Sequence, residues 1–138
     1  MRAAQLGGSN LELDWEHLAE EIEDLGISQR SALRSEIRRI IRHLAKLEHS
    51  PASGPRRGWV EALDDARAEV EDLLEISPSL KAEFNGDVAG QTARAIKLAI
   101  RDLQNYEEVD TTQLHQLRAA AYTEEQVFGD WLPAQPPR

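Results

Sequence analysis

The chain has 138 residues, 25 acidic against 16 basic side chains, a net charge of −9 and no cysteine. That length is enough for one domain with a real core, and the missing thiols exclude disulfides, thiol nucleophiles and thiolate metal sites together. No apolar run approaches 18 residues and no leader pattern is present, so a soluble, cytoplasmic protein without a membrane span is expected.

Ala, Leu, Glu and Arg dominate while aromatic and β-branched residues are few, a helical composition. Residues 1–12, with Gly7, Gly8 and Ser9, read as a flexible N-terminal segment. The first helix is expected over Leu13–Leu25, where Trp15, Leu18, Ile22 and Leu25 recur at three- and four-residue steps. Asp14 is placed to cap its start, with His17 where a capping box would use Glu or Gln, and Gly26 is placed to end it. Glu16, Glu20 and Glu23 form an acidic outer row that reads as a solvated face, while Glu21 projects at the edge of the apolar stripe.

A second helix is expected from Ser28 to Glu48. Leu33, Ile37, Ile40, Ile41, Leu44 and Leu47 make its apolar face, with Arg34, Arg38 and Arg42 on one flank and Arg39 and Lys46 on the other. Pro51, Gly54, Pro55 and Gly58 mark a loop. A third helix then runs from about Arg57 to Glu75, with Trp59, Leu63, Ala66 and Val70 inward. Ser77-Pro78 restarts the chain into a long fourth helix that Asn85-Gly86 can bend. Thr123 can cap a short helix over Glu124–Phe128, and the Pro-rich end at 133–138 is expected to be disordered. The expected fold is an all-α, single-domain bundle over 13–132, with three to four long helices plus a short C-terminal helix.

Charge is unevenly spread. Residues 1–25 carry seven acids and one arginine, 26–60 carry eight basic and two acidic side chains, and 61–89 carry nine acidic and two basic ones. A basic helix between two acidic ones predicts internal charge pairing that selects helix neighbours, each exposed pair adding about 0–1 kcal/mol.

The chain resembles an uncharacterised bacterial family catalogued as domain of unknown function number twenty-nine. The resemblance rests on Leu13-Asp14-Trp15-Glu16, Leu18-Ala19-Glu20-Glu21-Ile22-Glu23 and Leu25-Gly26. It continues through His43-Leu44, Lys46, Pro51, Trp59, Leu73-Leu74, Ser77-Pro78-Ser79-Leu80, Tyr122-Thr123, Gln126-Val127 and Leu132-Pro133. It implies an all-helical bundle and no established activity. The family's helix before Asp-Trp-Glu is expected to be missing here, as are the aromatics after His-Leu, where Leu47-Glu48-His49-Ser50 stand.

No phosphate loop, His-Glu-x-x-His pair or nucleophile elbow occurs. No catalytic residue, cofactor or metal site is therefore assigned. Trp15, Glu20, Glu21, His43 and Trp59 are the candidate buried polar or interaction positions, with a His43–Glu21 hydrogen bond between helices expected and Trp59 as a core anchor. The leading function is a small helical protein-interaction module, of adaptor or partner-neutralising type, with an unidentified protein partner. One alternative is a metal-dependent enzyme using Glu20, Glu21 and His43. Another is a nucleic-acid binder using Arg34, Arg38, Arg42, Arg56 and Arg57, which the acidic net charge opposes. The missing helix predicts an open apolar groove and a homodimer that closes it near Trp15 and Leu18.

Overall fold

A computed structural model describes the backbone of residues 2–137 and the side chains of residues 15–20 and 26–137. Helix α1 spans Arg2–His49 and α2 spans Arg56–Ile76. A 3₁₀ helix over Pro78–Glu83 leads into α3, Phe84–Tyr106, followed by α4, Thr111–Ala119, and α5, Glu124–Phe128. The fold is all-α. Residues 1–32 and 33–138 form two separate units.

The first unit departs from expectation at Gly26. Gly26 lies inside α1, and among the described residues no glycine has positive φ, so the expected left-handed cap is absent. Asp14 is likewise internal, not a cap. The physical reason is the cost of two helix ends. Stopping and restarting would free four carbonyls and four N–H groups, whereas one helical glycine costs about 1 kcal/mol relative to alanine. The stretch expected to be flexible, 1–12, is helical from Arg2, since propagating an existing helix adds one hydrogen bond per residue.

A substitution separates the two conformations of Gly26. A Cβ there would meet nothing closer than the Arg30 guanidinium at 4.0 Å. Gly26→Ala is expected to raise stability by up to about 1 kcal/mol, read from urea denaturation. A left-handed cap would give the opposite sign.

The second unit is built on the apolar face expected for residues 28–48. Leu33, Ile37, Ile40, Ile41, Leu44 and Leu47 are fully buried. Leu63, Ala66 and Val70 of α2 and Val88, Ala95, Ile96, Ala99 and Leu103 of α3 complete the centre. Trp59 packs against this core and meets Tyr106 edge-on, with ring centroids 6.5 Å apart.

Ser77-Pro78 breaks the chain where expected, but it opens the 3₁₀ helix rather than a long α-helix. Asn85-Gly86 falls in the first turn of α3, and the change of helix type comes just before, at Phe84. The ring of Phe84 stacks on Phe128 at 3.9 Å, which ties that junction to α5. Both short C-terminal helices begin with reciprocal capping boxes, Asp110 with Gln113 and Thr123 with Gln126.

The C-terminal segment is held by charged donors. Arg67 donates to the carbonyls of Gln126, Val127 and Trp131 at 2.8–3.0 Å. Arg56 donates to Leu47 at 3.0 Å and Pro133 at 2.8 Å. Within the tail expected to be disordered, Pro133 is buried and Gln135 donates to the Pro51 carbonyl at 2.8 Å.

Candidate functional site

Along one side of the second unit, the C-terminal half of α1 and the middle of α3 border a groove of about 820 Å³. Its α1 wall carries Arg38, Arg39 and Arg42, which share a helix face at three- and four-residue steps. Its α3 wall carries Arg94, Lys97 and Arg101 by the same periodicity, with Leu98 and Ile100 supplying apolar lining. Six cationic side chains thus border a partly apolar groove.

The two walls differ in how far their charge is already used. Arg42 makes a bidentate pair with Asp102, at 2.6 and 2.7 Å, and Lys46 reaches the same carboxylate at 3.1 Å. Arg38 donates to the Gln91 side chain at 3.3 Å, and Arg39 lies 3.6 Å from Glu36. On α3, by contrast, Arg94, Lys97 and Arg101 are exposed and have no acidic partner among the described residues. Their charge is available to a ligand.

Asp102 is the anionic post behind the groove. Burial opposes its charge, but hydrogen bonds from Arg42 and Lys46 outweigh that and hold its carboxyl below the usual range. Lys46 is only 7% exposed in its side chain, and burial pushes its ammonium down against the opposing pull of Asp102. The Lys46 ammonium also sits 5.3 Å from the centre of the Trp59 ring. Trp59 is therefore both a packing residue and a neighbour of this charge cluster.

The expected charge pairing runs to a different helix. Glu61, Asp64, Asp65, Glu69, Glu71, Asp72 and Glu75 of α2 all lie exposed. The described inter-helix ion pairs of the basic segment go to Asp102 on α3 instead. An acid-rich helix does not pair with a basic one when its carboxylates ring the solvent face.

His43 also finds a different partner. Its Nδ1 donates to the Arg39 carbonyl at 2.8 Å, which leaves Nε2 with the lone pair. Burial lowers its pKa to about 4, and the cations of Lys46, Arg42 and Arg39 act in the same direction against that hydrogen bond. The expected Glu21 side chain lies outside the described residues. Glu20 is exposed, as is Trp15 at 67%. Among the described residues, no three His, Asp or Glu side chains gather as a metal ion would require.

The nucleic-acid candidates separate in space. Arg38 and Arg42 line the groove, Arg34 is exposed on α1, Arg56 is committed to two main-chain carbonyls, and Arg57 pairs with Glu61 at 3.3 Å. Arg94, Lys97 and Arg101 were readable as a basic stripe at i, i+3 and i+7. Their surroundings carry a small net negative charge, so composition alone hides them.

A family model matches residues 3–132. The chain belongs to that family, described as domain of unknown function DUF29. The match takes in nearly all of α1 and extends through the groove to Leu132. No curated protein and no solved structure matches this DUF29 chain.

Proposed function

We propose that this DUF29 chain is a small protein-interaction module whose groove between α1 and α3 receives an acidic, amphipathic helix. The observation that carries this reading is the pairing of three uncommitted cations, Arg94, Lys97 and Arg101, with the apolar lining from Leu98 and Ile100. A helix laid in a groove uses its apolar ridge for area and its flanking charges for register. A nucleic acid would use the cations but would find no aromatic among the groove residues on which to stack a base. The net charge of −9 opposes a long polyanion further.

Self-association belongs to the same reading, because Trp15 at 67% and Leu18 at 45% exposure leave apolar area uncovered. Among the described residues no helix is long and apolar enough to cross a membrane. A bacterial, cytoplasmic setting accords with a chain free of cysteine.

The test is fluorescence anisotropy with a labelled amphipathic peptide bearing four glutamates along one flank. Micromolar binding is expected, weakening as salt rises, and at least about tenfold weaker to a chain carrying Arg94→Glu, Lys97→Glu and Arg101→Glu. Equal binding to both chains overturns the groove reading. A DNA duplex that outcompetes the peptide favours the nucleic-acid alternative.

A further inference from the structure

The groove does not end at its own rim. Adjoining it, a second depression of about 520 Å³ is lined by Ala89, Ala93, Ile96 and Arg118, and it shares Lys97 and Ile100 with the first. Along α3, then, a cationic apolar trough runs from Ala89 to Gln104, about 22 Å at the helical rise. Ala89 and Ala93 leave room for a large apolar side chain, and Lys97, Arg101, Arg94 and Arg118 stand ready for carboxylates.

A segment with the matching pattern occurs in this same chain. Residues 13–25 lie within α1 and belong to the other structural unit. Their sequence sets apolar Trp15, Leu18, Ile22 and Leu25 at helical spacing among the acids Glu16, Glu20, Glu23 and Asp24. Trp15 and Leu18 are exposed together with Glu16 and Glu20. The stretch from Trp15 to Leu25 is about 15 Å long, within the reach of the trough. Residues 13–25 carry six acidic side chains and no Lys or Arg, opposite in sign to the six cations that line the groove.

Resting on the groove reading above, we infer that the groove's occupant is the acidic segment 13–25 of a second copy of this chain. Two copies related by a two-fold axis place each segment in the other's trough, so one self-complementary contact is made twice. The exposed Trp15 and Leu18 are covered, and Arg94, Lys97 and Arg101 gain the anions that their own unit does not supply. The arrangement closes at two chains.

Two charge-reversed full-length chains test it by sedimentation equilibrium. One carries Arg94→Glu, Lys97→Glu and Arg101→Glu, and the other carries Glu16→Lys, Glu20→Lys and Glu23→Lys. The wild-type chain is expected to be a dimer, and each variant alone a monomer, its dissociation constant raised at least about 100-fold. An equimolar mixture of the two variants is expected to dimerise again, because the reversed segment then meets the reversed groove while the native segment meets the native groove. Return of the dimer also shows that both chains are folded. Glutamine at the same six positions removes charge without reversing it and is expected to weaken the dimer by a smaller factor.

A monomeric wild-type chain, or a mixture that stays monomeric while circular dichroism shows both variants helical, overturns the inference. So does a variant that remains dimeric. The acidic peptide separates this failure from failure of the groove itself. If the peptide binds a monomeric wild-type chain and is lost on groove reversal, the groove stands and only its occupant is wrong. If the inference holds, the segment-reversed chain, its groove vacated, binds the peptide more tightly than the wild type.

Discussion

Replacing Asp102 by alanine is expected to lower folding stability by about 3 kcal/mol, measured by urea denaturation at pH 7. The carboxylate accepts two hydrogen bonds from Arg42 and one from Lys46, and Lys46 is nearly buried. Truncation leaves an ammonium inside the protein with the Trp59 ring, among the described residues, to offset its desolvation. Removing one partner of a buried pair costs about 3–5 kcal/mol, and the partial exposure of Arg42 and Asp102 keeps the value at the lower end.

The origin of that loss has its own signature. If it comes from the stranded charge, adding Lys46→Met to Asp102→Ala restores part of the stability, a favourable coupling that a double-mutant cycle reads directly. If it comes from lost packing, the two losses add. Stability is the quantity at risk here, not recognition. Freed of Asp102, Arg42 adds to the groove's positive charge, so binding of the acidic peptide is expected to hold or tighten.

His43 gives the second large effect, and it depends on pH. An unfolded imidazole takes up its proton near pH 6.5, whereas the folded one stays neutral down to about pH 4. Between those values the unfolded state binds the additional proton, so stability falls as pH falls. The whole interval is worth up to about 3 kcal/mol. Glu36 and Asp87 act in the other direction, since burial raises both carboxyls and the folded state then takes their protons first. Both carboxyls are retained in a His43 variant, so comparison with the wild type isolates the imidazole. The slope belonging to His43 is therefore read between pH 7 and about 5.5, where His43→Gln is expected to flatten the fall in the urea midpoint. An unchanged slope in that variant removes His43 as the cause.

Local hydrogen-bonding chemistry was legible in the sequence. Thr123 announced α5, Ser77-Pro78 announced a break, and the apolar spacing from Leu33 to Leu47 announced the buried face of α1. Asp110 with Gln113 carries the same signal for α4, in a stretch where the weak apolar periodicity drew no helix. Gly26 misled because glycine serves equally as a cap and as an internal residue. Only the balance between helix ends and one flexible backbone position decides it.

The site was less legible, for a geometric reason. Arg42 and Asp102 lie 60 residues apart, and so does any groove between their helices. Net charge by segment predicted that the basic stretch would pair with acidic neighbours, yet the acids of α2 face solvent and one carboxylate on α3 takes two cations. The residues with spare charge, Arg94, Lys97 and Arg101, could be seen as a stripe. What lies opposite them becomes visible only once the chain is folded.

Carbodiimide coupling in an equimolar mixture of unlabelled and nitrogen-15-labelled chains tests the central claim most directly. It joins a lysine amine to a carboxylate in contact with it, and mass spectrometry reads which copy each peptide came from. Lys97 is expected to be joined to Glu16 or Glu20 in mixed-isotope pairs, and the link lost when Trp15 and Leu18 are both replaced by serine. Lys97 joined to those glutamates only within single-isotope pairs, or never joined to them, would contradict it.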